Sequence, residues 1–130
     1  MVFGDPSYRV LLLDDDIAFL KTFEDLLTQD GHFVYPATCG LEALEIVCRV
    51  PIDISFLDVD LPDLDGIEIY KRMHRQRPTL PAIFVSGDPC SKLEETVLGV
   101  GGLALLRKPL DPRAVRDVMH EAFHKHSSGS

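Results

Sequence analysis

The chain has no tryptophan, only three methionines and three cysteines, and aromatic residues make up 8% of its 130 positions. It is also short of positive charge: 13 Lys and Arg stand against 21 Asp and Glu, a formal net charge of −8. That shortage argues against non-specific binding to nucleic acid or to an anionic membrane, because both need a basic face. No apolar run approaches the ~20 residues needed to span a bilayer. The opening "MVFGDPSY" lacks the basic start and apolar centre of a signal peptide, so a cytoplasmic location is expected. Cys39, Cys48 and Cys90 are odd in number and have no paired spacing. They are expected to be buried small side chains in a reducing compartment rather than a disulfide framework. No Cys–His spacing suggests zinc. His120, His124 and His126 fall in the polar ending "HEAFHKHSSGS", which reads as a solvated tail before it reads as a metal cluster. The final "SSGS" is linker-like and would either lead to a further domain or be a cloning remnant.

What is present fits one globular domain with a real core: 45% hydrophobic and 26% charged residues in 130 positions. Short apolar runs alternate with helical patterns. The strand candidates are 8–13, 32–37, 52–57, 81–86 and 103–107. Between the first two, Ile17, Leu20, Phe23, Leu26 and Leu27 share one helical face and Gly31 supplies the stop. Similar stripes begin at Leu41, Ile67, Leu93 and Ala114. Five βα units with nearly all-apolar first and third strands predict a parallel sheet covered on both faces by helices. The fold class is therefore α/β, a flavodoxin-like (βα)5 doubly wound sandwich with a five-stranded parallel sheet. The domain is expected over 8–124, after a short lead (1–7) and before a polar tail or linker (125–130).

In such sheets the ligand sits beyond the carboxyl ends of the strands. There the sequence is unusual. Asp14, Asp15 and Asp16 follow the first strand, Asp58 follows the third, Ser86 ends the fourth, and Lys108 follows the fifth. Adjacent carboxylates repel, and more so as water is removed. Several can stay ionised together if a divalent cation binds among them, and hard oxygen donors suit Mg2+. A lysine and a hydroxyl nearby would complete a phosphoryl site.

The motifs "LLLDDD", "FLDVDLPDLDG", "FVSGD" and "LLRKPLD", in this order and at these strand ends, resemble the receiver domain of two-component response regulators. The resemblance covers about residues 8–124. It implies phosphorelay signal transduction without classical enzyme activity, beyond self-phosphorylation and self-dephosphorylation. Asp58 would be the phosphoacceptor, taking a phosphoryl group from a phosphohistidine on a sensor histidine kinase or a phosphotransfer protein. Asp14, Asp15, Asp58 and the backbone carbonyl of Asp60 would hold Mg2+ or Mn2+. Lys108 would pair with Asp58 at rest and with the phosphoryl group afterwards. Ser86 would bond a phosphoryl oxygen and switch. Gly87, being small, would leave the acyl phosphate open to water. Pro109 would follow a cis peptide bond. The implied partners also include an output domain or a second copy docking through the fourth and fifth α/β units. Direct nucleic-acid or membrane binding by this domain is not expected.

Other acidic residues have plainer readings. Asp16 is expected to cap a helix, and Asp63 and Asp65 to serve the turn around Pro62 and Gly66. The side chains of Asp60 and Asp88 could lean over the site, and Cys90 lies near its rim. "FLDVDLP" also matches the DxD motif of haloacid-dehalogenase-like phosphatases, but there the further acids follow the lysine, whereas here they precede it. A calcium loop at "LPDLDG" fails, since Leu61 and Arg72 would stand where carboxylates are required. A receiver-like interaction module that is never phosphorylated is the remaining alternative. One position departs from the family: the aromatic usual three residues before the lysine is replaced by Leu105.

Overall fold

The computed structural model describes residues 6–61, 63–88 and 91–128. Five strands, β1 (Arg9–Leu13), β2 (Phe33–Ala37), β3 (Ile54–Asp58), β4 (Ala82–Ser86) and β5 (Ala104–Arg107), form one sheet in the order β2-β1-β3-β4-β5. All neighbours are parallel. Five helices alternate with them: α1 (Ile17–Gln29), α2 (Gly40–Arg49), α3 (Gly66–Gln76), α4 (Ser91–Gly99) and α5 (Pro112–Ser128). The predicted fold class and all five strands are found. The winding reverses between β1 and β3, so the switch-point crevice opens where Asp14 and Asp58 stand.

Each strand alternates its side chains between two apolar layers, as a period of two demands. Leu11, Leu13, Leu57 and Phe84 pack with α2, α3 and α4. Val10, Leu12, Phe56, Ile83 and Val85 pack with α1 and α5. Phe23 meets Phe56 edge-on at 4.9 Å between ring centres, which locks α1 to the middle of the sheet. Burial on both faces explains why β1 and β3 read as nearly all-apolar runs.

The helix signals read from sequence have clear physical outcomes. Asp16 caps α1 by accepting from the Phe19 amide at 3.1 Å, and Asp65 caps α3 through the Glu68 amide at 2.8 Å. Gly31, at φ +89°, turns the chain after α1 in a conformation that costs other residues strain. Asp30 at the end of α1 takes a bidentate contact from Arg116 of α5. One expectation is corrected. Cys48 is exposed, its Sγ 3.0 Å from Gln76 Oε1, because its place on α2 faces away from the sheet. α5 runs on to Ser128, so the polar ending from residue 125 is helical that far. No glycine or proline interrupts it after Pro112 until Gly129. Cys90 lies outside the described residues. Among those described, no helix is long and apolar enough to cross a membrane.

Candidate functional site

Register decides what meets at the carboxyl edge. Leu13 pairs with Leu57 and Asp58 with Val85, so β1, β3 and β4 end level. Asp14 follows β1 directly, and its amide donates to Ala37 O at 3.1 Å. Asp58 is the last residue of β3, Ser86 the last of β4, and the Lys108 amide donates back to Ser86 O at 2.9 Å. Carboxylate oxygens of Asp14, Asp15 and Asp58 lie within 4.8 Å of one another. Asp14 and Asp58 are buried, at 2% and 5% exposure, while Asp15 is open to solvent.

Burial and crowding set the electrostatics. Loss of water and the neighbouring Asp14 carboxylate push Asp58 up to about 7, against the pull of the Asp60 amide and of Lys108. Asp14 spends its oxygens differently. Its Oδ1 accepts from the Asp16 amide at 2.8 Å, and its Oδ2 lies 2.7 Å from Lys108 Nζ. That buried Oδ2 has no well-directed hydrogen bond beside the ion pair. Burial would lower the Lys108 ammonium, but the Asp14 and Asp58 charges outweigh it and hold its pKa above the usual lysine value. The expected resting pair between Lys108 and Asp58 is therefore corrected: the lysine's ion pair is with Asp14, the more deeply buried of the two carboxylates.

The remaining predicted residues fall around this cluster. The Asp60 amide donates to Asp58 Oδ1 at 3.2 Å, and its own carboxylate is not in the group. Ser86 Oγ is buried and accepts from the Asp88 amide at 2.9 Å, which folds the loop after β4 over the strand end. Gly87 is exposed, and a methyl group added there would touch nothing within 4 Å. The Lys108–Pro109 bond is cis. Leu105 is half-buried in the layer that holds Leu93 and Val97 of α4.

Three features were missed from sequence. The Phe19 ring lies 4.3 Å from Lys108 Nζ and gives the ammonium an aromatic face. Its only signal was an aromatic in the first turn after the acidic run. Arg107 Nη1 donates to the Asp88 carbonyl and straps the loop after β4. Asp63 serves its own turn through the Leu64 amide, as expected, and also accepts from amides of α2. No local pattern announces a partner 23 positions away.

The donor set fits a hard divalent cation. Three carboxylates converge, one oxygen lacks a directed donor, and the proton affinity of Asp58 is raised by burial first and then by the Asp14 charge, which a cation would neutralise. Asp14, Asp15 and Asp58 would hold the ion.

Comparisons with known proteins agree with this geometry. Residues 10–120 match the family described as the response regulator receiver domain. The chain is 28% identical over 111 residues to sporulation initiation phosphotransferase F of Bacillus subtilis, covering 85% of this chain and 90% of that protein. It is 28% identical over 135 residues to a probable transcriptional regulator of Pyropia yezoensis, covering 95% of this chain and 61% of that one. The crystal structure of a response regulator receiver domain protein from Methanospirillum hungatei superposes with a TM-score of 0.88 at 26% identity, covering 96% of this chain and all of that one. The chain spans 61% of the length of the algal regulator and 26% of that of another matched transcriptional regulator, from Escherichia coli.

Proposed function

The chain belongs to the response regulator receiver domain family, and from that premise we propose that Asp58 is its phosphoacceptor. As a receiver domain of two-component systems it serves phosphorelay signalling. The observation that supports the acceptor assignment is the crowding of Asp58 against Asp14 and Asp15 at the switch point, with Lys108 beside them.

The chemistry follows from charge. The ionised Asp58 carboxylate attacks the phosphorus of a phosphohistidine. An oxygen–phosphorus bond forms and the nitrogen–phosphorus bond breaks, its electron pair remaining on the imidazole. Mg2+ or Mn2+, when bound, neutralises carboxylate and phosphate charge. Lys108, now paired with Asp14, would turn to a phosphoryl oxygen in the phosphorylated state, where Asp14 would be among the residues holding the cation. Ser86 Oγ is poised at the adjacent strand end to donate to another. Water then hydrolyses the acyl phosphate, and the open space at Gly87 sets no barrier to its approach. The domain thus receives one phosphoryl group, loses it to water, and turns over no other substrate. Its donor is a sensor histidine kinase or a phosphotransfer protein in the cytoplasm. Its output is a further domain or a second copy of the chain.

The test uses acetyl phosphate as donor and intact mass as readout. With Mg2+ the protein is expected to gain a single base-labile phosphoryl group; with EDTA it should gain none. Catalytic turnover of a generic phosphomonoester would favour the phosphatase reading. No labelling with any small donor or histidine phosphodonor would favour an interaction module.

The Leu105 position bears on how the signal leaves the site. A leucine has no ring to exchange between solvent and core, and it already packs in the layer containing Leu93 and Val97. With a beryllofluoride mimic, amide shifts and hydrogen exchange are expected to change most from Ser86 through α4 and only modestly in β5. Large changes centred on Leu105 and α5, with α4 quiet, would overturn that route.

A further inference from the structure

The Asp63 carboxylate leaves its own loop and reaches the first turn of α2. Oδ1 accepts from the Gly40 amide at 2.9 Å and from the neighbouring Leu64 amide at 3.0 Å; Oδ2 accepts from the Leu41 amide at 3.2 Å. α2 has need of it. Its N-cap residue is Cys39, which makes no side-chain cap bond and offers no oxygen to make one. Two of the helix's orphan amides are thus satisfied from a loop more than 20 positions on. The Gly40, Leu41 and Leu64 amides hold the Asp63 carboxyl below the usual carboxylate range, so it stays ionised at the positive end of α2.

The same contact matters to the loop between β3 and α3. One end of that loop is fixed where the Gly66 amide meets Val59 O at 2.8 Å, and the other where the Asp60 amide meets Asp58. Asp65 ties the stretch between them to α3, which it leads into; among the described residues, the hydrogen bonds that tie it to any element beyond α3 are those of Asp63. Gly40 lets α2 sit close to α3 beside this contact: a methyl group there would stand 2.2 Å from Ile69 Cδ1, whereas its 3.4 Å from Asp63 Oδ1 would be an ordinary contact. α2 and the loop are therefore seated together.

We propose that Asp63 is a positioning residue: by clamping the loop to α2, it holds the Asp60 carbonyl and the Asp58 carboxylate in the arrangement that binds the divalent cation. This inference rests on the phosphoacceptor reading and extends it to a residue outside the carboxylate cluster.

The test measures Mg2+ affinity from the shift in melting temperature, alongside amide exchange and labelling by acetyl phosphate. In Asp63→Ala, exchange at Gly40 and Leu41 is expected to speed up about tenfold as their acceptor is lost. The Mg2+ dissociation constant should rise about tenfold, as when a metal ligand loses its outer support. The labelling rate should need more Mg2+ yet approach wild type once Mg2+ saturates. Asp63→Asn keeps one acceptor oxygen and should fall between. The decisive variant is Cys39→Ser with Asp63→Ala, which gives α2 a cap of its own while the loop stays free. It should restore protection at Gly40 and Leu41 but not the affinity. Full restoration of affinity in that double variant, or unchanged affinity in Asp63→Ala, would overturn the clamp. Wild-type protein that ignores Mg2+ would overturn the metal site itself, and the clamp with it.

Discussion

Asp58→Asn is expected to abolish phosphoryl labelling completely and, in metal-free protein near neutral pH, to raise stability by about 2–4 kcal/mol. The first effect is chemical: an amide is not the nucleophile that a carboxylate is. The second is electrostatic. The folded protein holds the Asp58 proton up to about pH 7, against 3.8 for an unperturbed carboxyl, through burial first and the Asp14 charge second. Between these values the folded state binds a proton that the unfolded state has released. Stability from this group is therefore full below about pH 4 and is lost as pH rises through 7. Little is forfeited by the substitution, since Asn can still accept from the Asp60 amide and Lys108 pairs with Asp14.

His32 opposes this trend. Burial lowers its pKa, and its Nδ1 accepts from the Tyr8 amide at 3.1 Å, so it must be neutral; its contribution is present above pH 6.5 and fades as pH falls. Comparing wild type with Asp58→Asn at each pH cancels the histidine. The difference in chemical-denaturation stability should shrink steadily from pH 8 to pH 4.5. Mg2+ should reverse the order, stabilising wild type by mass action and the variant much less. Asp60→Asn, outside the carboxylate group, should still be labelled. A variant no more stable than wild type at pH 8 without metal would mean that Asp58 is not strained by its neighbours.

How far the sequence foretold this site depends on the kind of interaction. The fold was legible because apolar periodicity and the Asp, Gly and Pro punctuation act locally. Asp16 and Asp65 cap the helices beside them, and Gly31 turns the chain where the apolar stripe ends. The meeting of Asp14, Asp15 and Asp58 was legible because parallel strands of similar length must end together. Lys108 was placed at the right edge but given the wrong partner. Choosing between two carboxylates a few ångströms apart depends on relative burial, which no sequence pattern encodes. Phe19 beneath Lys108 and Asp63 beneath α2 are contacts between elements distant in the chain. Their residue types also suit commoner local roles, as core aromatic and as turn aspartate.

Gly66→Ala is expected to be the most damaging single-methyl change near the site. Helix propensity alone predicts a gain, since alanine is about 1 kcal/mol better than glycine inside a helix. Sterics predict the reverse. A Cβ at Gly66 would fall 2.2 Å from the carbonyl oxygen of Asp58 and 2.9 Å from the Val59 Cα. These are backbone atoms of β3 and the residue after it, and they cannot swing aside as a side-chain tip can. The first turn of α3 must retreat, breaking the 2.8 Å bond from the Gly66 amide to Val59 O, or the end of β3 must move and take Asp58 with it. Either route should cost about 3 kcal/mol or more, at the upper end of overpacking penalties. The melting temperature is therefore expected to drop by about 10 °C. Labelling by acetyl phosphate should fall at temperatures where the variant is still folded, because the carboxylate is displaced. Gly87→Ala is the control, with open space around its new methyl group and an expected stability change within about 0.5 kcal/mol. A Gly66→Ala protein that melts with wild type and is labelled at the wild-type rate would show that α3 can withdraw from the strand end without disturbing Asp58.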